Sequence, residues 1–151
     1  MSDPITLVYD QAVDLASAIE QAIGPKNRGN FDHNITRDLF RPRGAGIMEV
    51  QVQVVGFTQA DIDSGEDPVQ CLARRGYENL GNTWDLAFLL HRCPAEVKKW
   101  TWVYALGHDS RWASSHETTY VPVAWADYQY CSFRLDPLSD ILVPSGVIVI
   151  C

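Results

Sequence analysis

The chain has 151 residues, of which 46% are hydrophobic and 21% charged, so residues 1–151 are expected to form one globular domain with its own core. The formal charge of −7 has the wrong sign for a protein that binds nucleic acid or an anionic membrane through a general basic surface. Disordered, collagen-like and coiled-coil chains are excluded, because 10 Gly, 8 Pro and 11% aromatic residues show no low-complexity bias and no sustained heptad.

Residues 1–4 contain neither the basic nor the apolar stretch of a secretory signal, so we expect a cytoplasmic protein, or a virion protein if the source is viral. The apolar run over 141–150 contains Pro144 and is shorter than the ~20 residues that a membrane helix needs. The cysteines show no C-x-x-C spacing, which predicts free thiols and neither a metal nor another cofactor. They are Cys71, Cys93, Cys131 and Cys151.

Residues 5–23 carry apolar side chains at steps of three and four, which is typical of the buried face of a helix. Asp3 is suited to the N-cap and Pro4 to the first helical position. Gly24 and Pro25 supply a stop signal. The pattern therefore predicts an N-terminal helix from Pro4 to just before Gly24.

Residues 25–46 have no clear period and hold five basic against two acidic residues, a net charge of +3 in an acidic protein. Long loops in compact domains are often functional or shaped by a partner. We interpret this one as a basic arm that docks on an acidic face of a neighbouring subunit, a contact that salt weakens. Contact with phosphate and a solvated crossover are the alternatives. The assigned interface residues are Lys26, Arg28, Arg37, Arg41 and Arg43.

Period-two alternation over 48–54 predicts a strand with one dry and one wet face. The acidic turn over 59–67 lacks the Gly and Glu positions of a calcium loop. Asp67 and Pro68 then begin a pair of helices that ends at Cys93.

The remaining chain predicts four strands, over 99–106, 117–125, 128–134 and 147–151. Pro122 indicates an edge position or a bulge in the second of them. The last strand is apolar on both faces, so we expect it inside the sheet or under another subunit.

Together these elements predict an α+β fold. Its sheet is expected to be mainly antiparallel, with about five strands, because the helices do not alternate regularly with the strands. The N-terminal helix and the helix pair at 68–93 are expected to pack on one face.

The loop between two predicted strands holds the densest set of catalytic residue types. A histidine beside an acid is suited to general-base catalysis, Ser114 or Ser115 to nucleophilic attack, and an arginine to anion binding. The opposing interpretation is a polar turn, because Asp and Ser also bond their own backbone. The candidates are His108, Asp109, Arg111 and His116.

The chain has five Trp and six Tyr, and two of the tryptophans, Trp112 and Trp125, stand next to predicted turns. Exposed tryptophans anchor protein interfaces and stack on sugar rings. These two residues are therefore candidate interface anchors, and a binding or inhibitor module is one alternative function.

We expect a non-enzymatic structural or assembly subunit, forming a homo-oligomer or a larger protein complex. Small virion components, such as phage neck, tail-terminator or capsid-decoration proteins, have this general character. The main alternative is a small hydrolase or transferase that uses the loop from His108 to His116.

Overall fold

The computed structural model describes residues 3–27, 29–113, 118–127, 129–141 and 145–151, which form an α+β fold around one seven-stranded sheet. The strands are β1 (Ile5–Asp10), β2 (Ile47–Phe57), β3 (Trp102–Tyr104), β4 (Trp112–Ala113), β5 (Thr119–Ala126), β6 (Cys131–Pro137) and β7 (Ser145–Ile150). The α-helices are α1 (Leu15–Ile23), α2 (Gln59–Asp63), α3 (Pro68–Arg74), α4 (Thr83–Arg92) and α5 (Pro94–Trp100).

The sheet is mixed. β1 pairs with β2 and β2 with β7, both antiparallel, whereas β7 and β3 run parallel. β5 pairs antiparallel with β3 and β4 at its two ends, and with β6 along its other edge. The prediction of a mainly antiparallel sheet with about five strands was therefore wrong. β3 and β7 are far apart in sequence, so no tight turn fixes their relative direction.

One face of the sheet is covered by α1, α4 and α5. Their apolar side chains, including Leu15, Ile19 and Leu89, pack against alternate strand residues such as Leu7 and Val52. Because the strand side chains alternate between faces, the even-numbered positions of β2 that the sequence predicted as dry lie in this core.

The opposite face is covered by α2, α3 and the segments beside them. Leu72 of α3 packs here with Val147 and Val149 of β7. The predicted helix pair is thus divided between the two faces, not packed on one. The split is possible because both faces of the central strands β3, β5 and β7 are apolar.

The N-terminal helix prediction was wrong for its first part, since residues 5–10 form β1. Leu7 and Tyr9 point into the core, whereas Thr6 and Val8 point outward. α1 begins after Asp14, whose side chain accepts a hydrogen bond from the Ser17 N–H at 3.1 Å. The spacing of apolar residues in this stretch fits both the period of a helix and the two-residue period of a strand. These residues form a strand because they pair with β2.

The strand predicted over 99–106 shrinks to β3, because α5 continues to Trp100. Thr101 then adopts a positive φ of 68°, which ends the helix and turns the chain into the sheet. The indole ring of Trp100 lies on the sheet where Gly56 and Gly146 pair across β2 and β7. A Cβ on Gly56 would stand 2.6 Å from that ring, so these two glycines make room for it.

The C-terminal strand β7 lies between β2 and β3, which confirms the prediction that it is internal. β5 and β6, which correspond to the second and third of the four strands predicted over 99–151, pair antiparallel. Pro122 is not on an edge strand, but it lies between the β5 positions that pair with β3 and those that pair with β4. Among the described residues, no helix is long and apolar enough to cross a membrane.

Candidate functional site

The basic segment over 25–46 is folded onto its own chain in the parts that the structure describes. Phe31 bridges to Phe133 of β6, with the Asp32 N–H donating to the Phe133 carbonyl at 3.0 Å. The Asn30 side chain donates to the Cys131 carbonyl at 2.8 Å. Residues 30–32 therefore occupy the first part of the edge of β6 that β5 leaves open, from Cys131 to Phe133.

Two of the assigned interface arginines are exposed residues that bond to other parts of their own chain. Arg37 donates to the carbonyl of Gln11 and lies over the Trp84 ring, 5.3 Å from its centroid. Arg43 forms a bidentate ion pair with Asp85, through Nη1 to Oδ1 at 2.8 Å and Nη2 to Oδ2.

The other three differ in placement. Lys26 and Arg41 are exposed, and the Lys26 ammonium lies 5.5 Å from the centroid of the Tyr130 ring. Arg28 lies outside the described residues.

Asp85 is the centre of a polar network beneath β1. Its side chain is 0% exposed, and its carboxylate also accepts hydrogen bonds from the Tyr9 hydroxyl at 2.7 Å and the Asn82 N–H at 2.8 Å. Burial, and then the charge of Asp85, raise the pKa of Tyr9 well above its ordinary value. The network is thus charge-paired and holds β1, α4 and Arg43 together.

The predicted catalytic loop contributes to a groove of about 350 Å³. The structure brings His108 and Arg111 together there, whereas Asp109 is exposed outside its lining and His116 lies beyond the described residues. The lining residues are Arg43, Glu78, Asn79, Leu80, Gly107, His108, Arg111 and Ile150.

Ser110 and Arg111, in the described part of this loop, make hydrogen bonds to other segments of the chain. Ser110 is 1% exposed, and its Oγ accepts a hydrogen bond from the Thr83 N–H at 2.7 Å. Arg111 donates through Nε to the Leu106 carbonyl at 3.1 Å. Ser110 is therefore no accessible nucleophile, and Ser114 and Ser115, the serines proposed for nucleophilic attack, lie outside the described residues. Across the described residues, no group of three His, Cys, Asp or Glu side chains is placed to hold a metal ion.

The two candidate tryptophan anchors are both half-buried. Trp112 lies against Tyr120, with ring centroids 5.9 Å apart, and Trp125 is paired with Trp102 across β3 and β5. Each ring thus packs partly on its own sheet.

The outer edge of β1 is a feature that the sequence prediction missed. Gln11, just after β1, donates its N–H to the Gly46 carbonyl at 3.0 Å, so residues in step with Gln11 bond to β2. Hydrogen-bonded and non-bonded pairs alternate in an antiparallel ladder, so Thr6 and Val8 direct their N–H and C=O groups away from β2. No described residue pairs with these groups.

A groove of about 350 Å³ runs beside this edge on the helix-covered face, and we call it the edge groove. Phe88 forms its apolar wall and stacks on Tyr9 at a centroid distance of 4.6 Å. His91 and Arg92 are exposed at its rim. It is lined by Leu7, Val8, Phe88, His91 and Arg92. The β-branched residues of β1 were the sequence signal that could have indicated this strand.

Comparisons with protein-family models, with curated proteins and with solved structures found no match to this chain. The fold and the two grooves therefore define the candidate sites without a relative to guide their interpretation.

Proposed function

We propose that this chain is a non-enzymatic assembly subunit, in a homo-oligomer or a larger complex, and that it docks an extended segment of a protein partner on the outer edge of β1. The observation that carries the proposal is the row of outward backbone groups at Thr6 and Val8. Backbone pairing of this kind supplies affinity when a strand is added to an open sheet edge.

Proteins usually protect a sheet edge with lysine, proline, a bulge or a covering segment. β1 pairs with β2 in an unbroken register from Ile5 to Asp10, and residues 5–9 carry no charge. Val8 is 50% exposed beside the edge groove. These features favour pairing with a further strand over contact with water alone.

The enzymatic alternative receives less support, because its proposed nucleophiles, Ser114 and Ser115, lie outside the described residues and the only serine within residues 108–113 is Ser110. His108 is exposed, whereas Ser110 is buried and bonded to Thr83. A nucleophilic mechanism needs both groups within hydrogen-bond reach of one another at an accessible position. The assembly proposal therefore accounts for more of the described geometry.

The test uses isotope-labelled protein and a soluble six-residue peptide of alternating threonine and valine, followed by amide NMR. We expect shifts and slowed hydrogen exchange at Thr6, Val8 and Asp10, with smaller shifts around Phe88. If the peptide leaves these amides unchanged, and the protein remains monomeric at every concentration measured, the proposal is wrong.

Val8→Pro provides a matched variant. It removes an outward N–H but no hydrogen bond to β2, so it is expected to fold and to lose peptide binding. Leu39→Lys changes another exposed apolar residue, 44% exposed and in none of the strands, and is expected to bind the peptide normally.

A further inference from the structure

We infer that the strand that docks on β1 is β1 of a second copy of this chain, in an antiparallel pair with Leu7 opposite Leu7 about a two-fold axis. This inference rests on the proposed function and names its partner. It follows from which backbone N–H and C=O groups on the outer edge of β1 are available for hydrogen bonds to another strand.

The edge offers donors and acceptors at alternate positions. Thr6 and Val8 each present an N–H and a C=O that no described residue engages. Asp10 presents an N–H only, because its carbonyl already accepts a hydrogen bond from the Val13 N–H at 3.3 Å. Pro4, in the same alternation, presents a carbonyl only, since proline has no N–H.

The outward N–H and C=O groups of β1 are complementary to those of a second β1 strand that runs antiparallel to it. With Leu7 opposite Leu7, Thr6 faces Val8 of the second copy, and each exchanges both hydrogen bonds with the other. Asp10 then faces Pro4 of the second copy, where one N–H meets one carbonyl. Every free group thus finds its complement.

The neighbouring register, with Val8 opposite Val8, is a poorer match. It places Thr6 opposite Asp10, whose carbonyl is already engaged by Val13. It also places Pro4 opposite Ala12, whose N–H already donates to the Asp10 carboxylate at 2.9 Å. The carbonyl of Pro4 is then left without a donor, so this register is disfavoured.

Side chains agree with the Leu7-centred register. On the outer face, Val8 would lie beside the methyl group of Thr6 from the second copy, which covers an apolar side chain now 50% exposed. No carboxylate stands opposite another carboxylate. A two-fold axis normal to the sheet places both helix layers on the same side, so the two edge grooves face each other across the axis.

Charge sets the expected salt dependence. Each copy carries −7 overall, and Arg92 stands at the rim of each edge groove, so both the net charges and the local ones repel. Screening weakens such repulsion, and this dimer is expected to tighten as salt is added. Docking of a basic arm on an acidic face predicts the opposite trend.

The test combines light scattering with site-directed disulfide formation in a Cys151→Ser background. Opposed residues of a bonded antiparallel pair have Cα atoms about 5.5 Å apart, within the range for a disulfide. We expect a mixture of the Thr6→Cys and Val8→Cys proteins to form a cross-linked dimer, identified by mass spectrometry of the joined peptides. Neither variant alone is expected to cross-link through its new cysteine.

Cross-linking of Val8→Cys with itself would overturn the Leu7-centred register. A wild-type protein that stays monomeric over a wide range of concentration and salt would overturn the inference of a second copy. If that monomer still binds the threonine–valine peptide at β1, the proposed function stands and only its partner is wrong. If it binds no peptide, both fail.

Discussion

Two edge strands of the sheet, β6 and β1, differ in whether the rest of the chain bonds to their outer edge. At β6 the chain returns over its own edge, and residues 30–32 pair with Phe133 through hydrogen bonds of 3.0 and 3.1 Å. At β1 no described residue pairs with the outward groups of Thr6 and Val8. Because exposed strand edges pair with other strands, the difference indicates which end of the sheet is available to a partner.

The same basic segment explains both edges. Its first part covers the beginning of β6, from Cys131 to Phe133, whereas Arg43 near its end reaches Asp85 and, through it, Tyr9 of β1. The segment therefore holds β1 through Asp85 on the helix-covered face and does not cover the outer edge of β1. The sequence predicted this stretch to be a contact between subunits. In its described part it makes hydrogen bonds and an ion pair with its own chain.

The largest expected effect on stability comes from removing the ion pair between Arg43 and Asp85. Asp85→Ala leaves Arg43 and Tyr9 without their buried partner, and is expected to lower the free energy of unfolding by about 3–5 kcal/mol. Urea unfolding followed by tryptophan fluorescence measures the loss. Asp109→Ala, at an exposed acid, is expected to stay within about 0.5 kcal/mol. Equal losses in the two variants would contradict the assigned role of Asp85.

The covered edge is next. Phe31 is 8% exposed, and Phe31→Ala is expected to cost about 3 kcal/mol and to loosen the cover of β6. The variant should then associate more readily than wild type in light scattering, because it has two open edges. Asn34→Ala, at an exposed neighbour, serves as the control. Unchanged association with a full loss of stability would show that other residues keep β6 covered.

Tyr9 gives the β1 end a pH dependence. Its pKa is raised in the folded protein, first by burial and then by Asp85, above the value of about 10 in the unfolded chain. The stability from the protonated hydroxyl is therefore complete below pH ~10 and declines above it, by up to about 1.4 kcal/mol per pH unit. Tyr9→Phe should start about 1 kcal/mol lower and fall less steeply in alkaline urea titrations. Parallel slopes would contradict this account.

The smallest effect on stability is expected at the open edge itself. Val8→Lys places a charge on a side chain that is 50% exposed, and should change the free energy of unfolding by no more than about 0.5 kcal/mol. It should nevertheless abolish the association measured by light scattering, since lysine is a common protection of sheet edges. Leu39→Lys should leave association intact. An associating Val8→Lys protein would place the interface elsewhere.

Local sequence patterns were enough to predict those elements whose buried and exposed faces are set by their own residues. The alternation at residues 48–54 predicted a strand, and the wholly apolar end of the chain limited β7 to a place inside the sheet or under another subunit, of which the first is found. The N-cap and proline at Asp67 and Pro68 marked the start of α3. In each case the deciding information lies within a few residues along the chain.

Features that depend on residues far apart in the sequence could be assigned only from the folded chain. Residues 5–10 fit either period, and they become a strand because β2 lies beside them. Arg43 turns inward because Asp85, 42 residues away, is buried and needs a counter-charge. Whether a sheet edge is covered depends on where a distant segment packs. Residues 30–32 pack on β6, whereas no described residue pairs with the outer edge of β1. A local pattern shows which face of an element is apolar, but the packing of the whole chain determines which edge remains open.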